Sequence, residues 1–162
     1  MTDEDFAEAQ RLFEGVGNLY LVGLAMAADQ RLLVTVDEAS REDRPQPLET
    51  GNAAVDAALG PAYPVTTRPG HRRFVVEFEP VASAIRDESF AVPEDDEDFS
   101  SPLRRYSTST FLDWVERGTF VQSDEGPVRH VALVTFDVVI DVATQTLPEI
   151  TVIRLTEADL AD

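Results

Sequence analysis

The segment His130-Val-Ala-Leu-Val-Thr-Phe-Asp-Val-Val-Ile-Asp-Val142 decides the fold class. β-Branched residues dominate it. Their stiff side chains crowd a helix and pack well on a pleated surface. One flat strand from Val128 to Val142 would be unusually long, so Asp137 is read as a bend between strands over 130–136 and 138–142. Around Val138 to Thr144 the period alone leaves a helix as an alternative. After the connection Leu147-Pro148-Glu149, Ile150 to Leu155 repeats the β-rich composition.

Upstream, Arg73-Phe-Val-Val-Glu-Phe-Glu79 alternates, with Phe74, Val76 and Phe78 on one face and Glu77 and Glu79 on the other. Pro80 interrupts it, and Val81 to Phe90 is read as a further strand. Leu19 to Met26 is apolar on both faces, and Asp29-Gln30 turns it back into Arg31 to Val36, which predicts a hairpin. Ahead of it, Thr2 caps a helix over Asp3 to Glu14. Its first turn is acidic, its apolar residues recur at three- and four-residue spacing, and Gly15 and Gly17 stop it. Two shorter helices are expected, over Asn52 to Leu59 before Gly60-Pro61 and over Thr110 to Arg117. The second has Thr108 or Ser109 as cap and Phe111, Trp114 and Val115 toward the core.

Polar, proline-bearing stretches over 39–50 and 93–102 are expected to be exposed, mobile loops. The elements show no regular strand–helix–strand alternation, which argues against a doubly wound parallel sheet. The expectation is one α+β domain over 1–162: a curved antiparallel sheet, or a small barrel or sandwich, with two to three packed helices.

The charge is the most unusual total, with 31 acidic residues against 13 basic ones and a net −18. Lysine is absent, so every basic residue is arginine. A GC-rich genome or a high-salt habitat explains that bias, because molar salt shortens the screening length to about 3 Å. The functional alternative is an acidic surface that meets a basic partner. Direct binding to nucleic acid is disfavoured, since phosphate affinity comes from clustered positive charge. No apolar run reaches the ~20 residues of a membrane span. The start MTDEDFAEAQ is acidic where a signal peptide is basic, so the expected address is the cytoplasm.

Missing residue types exclude chemistry directly. Without cysteine there are no disulfides, thiolate nucleophiles or cysteine-ligated metals. Without lysine there are no Schiff bases and no Walker A lysine. The acidic run Glu94-Asp95-Asp96-Glu97-Asp98 fails a calcium-loop test. Counted from Asp96, its sixth position is not glycine and its twelfth is Ser107 rather than glutamate. Gly15-Val-Gly17 precedes a strand, the reverse of a dinucleotide loop. No cofactor and no metal site is expected.

Two histidines remain, His71 in an exposed turn and His130 at a strand start. A serine–histidine–aspartate set can be written from Ser107 or Ser109, His130 and Asp137 or Asp141. Serines and acids are so abundant that such a set carries little information. His130, Asp137 and Asp141 are therefore weak catalytic candidates, and a hydrolase or isomerase using carboxylates with His130 is the alternative function. The leading expectation is a non-catalytic acidic binding protein, of inhibitor or immunity type, engaging a basic protein through Glu94 to Asp98, Glu77 and Glu79. A third reading is an assembly subunit whose acidity reflects habitat alone.

Overall fold

The computed structural model describes residues 2–90, 95, 100–106, 108–118 and 126–161. Helix α1 (Asp3–Arg11) begins with a reciprocal cap. Thr2 Oγ1 accepts from the Asp5 amide and the Asp5 carboxylate accepts from the Thr2 amide. It ends one turn short of the expected Glu14. Amides of Leu12, Phe13 and Glu14 bond three residues back rather than four, tightening the last turn. That turn brings Phe13 into the core, and Gly15, at φ +77°, supplies the left-handed step that leaves the helix.

Strands β1 (Asn18–Met26) and β2 (Leu32–Arg41) form the expected hairpin. β2 runs past the expected Val36, because β1 pairs with it as far as Ala39 and the two-residue β3 (Val65–Thr66) pairs with Ser40 and Arg41. The stretch expected as a loop over 39–50 is therefore strand at its start, with Ala39 fully buried. Between them α2 (Ala53–Leu59), capped by Asn52, buries no residue. Strand β4 (Arg72–Phe78) pairs with β2, and β9 (Glu149–Arg154) closes the first sheet in the order β1-β2-β4-β9.

The chain changes sheets at Glu79-Pro80. Proline, lacking an N–H, starts β5 (Pro80–Asp87), and Thr144 Oγ1 donates to the Glu79 carbonyl at 2.9 Å. The second antiparallel sheet is β5-β8-β7-β6, from β6 (Leu103–Tyr106), β7 (Arg129–Val134) and β8 (Val138–Thr144). Asp137 lies in the bend between β7 and β8, where Thr135 and Val138 bond across a tight turn. Helix α3 (Thr110–Gly118) packs on β7 and β8. The loop expected over 93–102 lies outside the described residues except at 95 and 100–102.

Side-chain alternation divides the second sheet. Val131, Leu133, Ile140 and Val142 face inward and share one core with Val34, Val36, Phe74, Val76 and Phe78 of the first sheet. α1 seals that core through Phe6, Ala9 and Phe13, whose ring stacks on Phe74 at 4.5 Å. The opposite set, His130, Ala132, Val139 and Asp141, faces α3. Of the α3 residues expected in the core only Val115 is buried; Phe111 is half-buried and Trp114 is 63% exposed.

Arg72 ties α1 to the first sheet. Its guanidinium donates to both Glu38 oxygens and to the carbonyls of Leu12 and Glu14, which the helix end leaves without partners. These bonds, first those from the Arg72 side chain, hold the Glu38 carboxyl below its ordinary 4.5. A depressed folded-state pKa contributes stability that is complete above the unfolded value and is lost as pH falls through the folded one. Glu38→Gln is therefore expected to cost about 1.5–3 kcal/mol near neutrality. In urea unfolding the gap to wild type should shrink steadily as pH drops below 4.5. A gap independent of pH would show that the charge of Glu38 contributes nothing.

Candidate functional site

The outer face of the second sheet gathers a polar chain: alternation puts Arg86, His130 and Asp141 on that face, and strand pairing brings them together. Asp141 on β8 lies opposite Ala84 on one side and Ala132 on the other, two small residues that leave room above the sheet. Arg86 of β5 reaches into that room and donates from Nε to Asp141 Oδ2 at 2.9 Å. His130 of β7 approaches from the other side, with Nε2 3.0 Å from Asp141 Oδ1. A carboxylate only accepts, so Nε2 carries the proton. The other ring nitrogen, Nδ1, lies 2.6 Å from Ser109 Oγ.

Ser109 has a second duty. Its Oγ accepts from the Leu112 amide at 3.0 Å and so caps α3, as expected of one of the two candidates. Asp95 accepts from the first amide of the helix, that of Thr110, at 2.7 Å. The imidazole is held by rings as well. Tyr106 stacks on it at 4.3 Å and Phe111 meets it edge-on at 5.0 Å, while the Tyr106 hydroxyl accepts from Arg86 at 3.1 Å. Arg86 also donates to the Phe90 carbonyl. His130, Ser109 and Asp141 are each at least 95% buried.

The contacts read serine–histidine–aspartate, but the ring is reversed relative to the serine-hydrolase arrangement, in which the nucleophile faces Nε2 and the acid faces Nδ1. Both ring nitrogens are engaged, and the hydroxyl is shared between a helix amide and the ring. What this arrangement does chemically is fasten the N-terminus of α3 to three strands of the sheet.

Above the chain opens a cleft of about 480 Å³. Phe90, Phe111 and Trp114 form its apolar walls, and Arg86, His130 and Asp141 contribute to its floor. Asp95 and Arg117 add one charge of each sign. Ser109 is not among its lining residues. A larger hollow of about 560 Å³ lies beside Val16 to Leu19 and Val134 to Phe136, but no buried titratable group lines it. The aromatic cleft is the stronger candidate, since apolar walls with a few convergent polar groups mark ligand sites.

Of the residues singled out from the sequence, His130 and Asp141 come together with Ser109. Asp137 does not; it is exposed in the bend. Ser107, Glu94, Asp96, Glu97 and Asp98 lie outside the described residues. Asp95 is half-buried as a helix cap. Glu77 is half-buried and bonded by Arg31, while Glu79 is exposed where the chain changes sheets. The other histidine, His71, is half-buried rather than exposed, with Nδ1 3.0 Å from the Glu38 carbonyl oxygen. Arg86, Tyr106 and Phe90 carried no distinguishing sequence signal.

Among the described residues no three histidine, aspartate or glutamate side chains form a metal-binding group, and no helix is long and apolar enough to cross a membrane. No family model, curated protein or solved structure matches the chain.

Proposed function

We propose that this protein is a non-catalytic binding protein whose acidic surface engages a basic protein partner, in the manner of an inhibitor or immunity protein. The observation that carries the reading is the use of arginine in ion pairs on and beside the strands. Arg72 and Arg73 close on Glu38 and Asp37, Arg86 closes on Asp141, and Arg31 bridges Asp29 and Glu77. These four arginines are engaged by five carboxylates, and the chain still carries a net −18. Such a field accelerates encounter with a cationic partner and rejects anionic ones.

The test is capture of basic proteins from the source cell on the immobilised chain at low ionic strength, then calorimetry on the purified pair across potassium chloride. Affinity is expected to fall steeply as salt rises. Failure to retain any basic protein, or a complex indifferent to salt, would remove the reading.

A second reading rests on one observation, the Ser109–His130–Asp141 contact chain. A serine-type hydrolase would turn over p-nitrophenyl esters and lose that turnover in Ser109→Ala. The binding reading expects no turnover from either protein.

A further inference from the structure

We infer that the aromatic cleft between β5 and α3 receives an arginine side chain of that basic partner; this rests on the function proposed above. Phe90 and Trp114, 58% and 63% exposed, stand beside a cavity rather than within the core. Exposed aromatics are a cost that a covering partner removes. They also have a preferred guest. An aromatic face attracts a cation, and a planar guanidinium on an apolar stem uses the ring and the wall together.

The charges of the cleft fit the same guest. Arg86 is closed by Asp141 and bonded to Tyr106 and Phe90, so the floor is neutralised and rigid. Asp95 uses Oδ1 to cap α3 and lines the cleft, where its carboxylate can accept from a guanidinium. Arg117 opposes a cation locally. Its Nε is held by the Asp113 carbonyl at 2.9 Å, and its single charge stands against the net −18 of the chain. Arginine is also the charged residue most enriched among the few contacts that dominate protein interfaces.

Trp114 is the sole tryptophan, so its fluorescence reports the cleft directly in the intact chain. The probes are N-acetyl-arginine amide, its neutral citrulline counterpart and benzoate. The arginine probe is expected to give a saturable change in Trp114 emission, with weaker binding of the citrulline probe and none of benzoate. Arg117→Ala should tighten the arginine probe by about 2–5-fold and Asp95→Asn should weaken it by a similar factor. Circular dichroism on each variant checks that α3 remains folded.

Preferential binding of benzoate, abolished by Arg117→Ala, would overturn the inference in favour of an anionic ligand. Equal binding of citrulline and arginine would overturn it on charge, and no response to any probe would show that the cleft is not a site. The two readings separate at the partner. Salt-sensitive capture of a basic protein whose affinity is unchanged by Trp114→Ala sinks the cleft assignment alone. Saturable binding of the arginine probe with no captured protein sinks the function instead.

Discussion

Asp141→Ala is expected to lower the unfolding free energy by about 3–5 kcal/mol. The carboxylate is 4% exposed and accepts from two donors, the Arg86 guanidinium and the His130 Nε2–H. Truncation removes the acceptor of the Arg86 Nε–H and of the buried His130 Nε2–H, and a donor left unmet there carries a desolvation penalty. Asp141→Asn retains the shape but offers a single acceptor oxygen where two are used, so one donor must face an amide N–H. Its cost should be about 1.5–3 kcal/mol, set by one lost charge-assisted bond. Urea unfolding followed by far-ultraviolet dichroism measures both variants. A neutral or stabilising Asp141→Ala would show that these groups are held for chemistry at the expense of stability, and the hydrolase reading would gain what the binding reading lost.

The same network marks where sequence reasoning stops. Alternation in Arg73 to Glu79 and the β-branched run over 130–142 identify strands, because period two is a local property of the chain. Which serine and which acid join His130 is not local. Asp141 prevails over Asp137 because β8 lies beside β7 in a register that sets Asp141 opposite Ala132, and Ser109 is brought in by its place at the start of α3. Four residues separate Asp137 from Asp141, yet one sits in an exposed bend and the other under a helix.

Trp114 shows a different failure. Helical spacing groups it with Phe111 and Val115, but the sheet beneath α3 is polar around His130 and Asp141. Val115 is buried while Trp114 is left at the cleft. Strand β6 was illegible because Leu103 and Tyr106, three apart, are buried on opposite faces, one in each core, so no one-sided alternation appears. The division into two sheets at Pro80 is equally a matter of distant pairing. A proline signals a break in a ladder, not the ladder that the next strand joins.

Phe74→Ala is expected to cost about 3–5 kcal/mol, the range for removing a large aromatic from a packed core. Phe74 has no exposed surface, and its ring is the shared contact between the first sheet and the Phe13 ring of the α1 exit turn. A cavity there cannot be filled from α1, because the helix end is pinned from outside. Arg72, the neighbour of Phe74, bonds the Leu12 and Glu14 carbonyls on either side of Phe13. The stack and the arginine clamp are thus two halves of one attachment, apolar inside and ionic outside. Combined with Glu38→Gln, the loss should fall short of the sum of the single effects, since both act on the seating of one helix turn. Strict additivity in urea unfolding would show that the core and the clamp hold α1 independently.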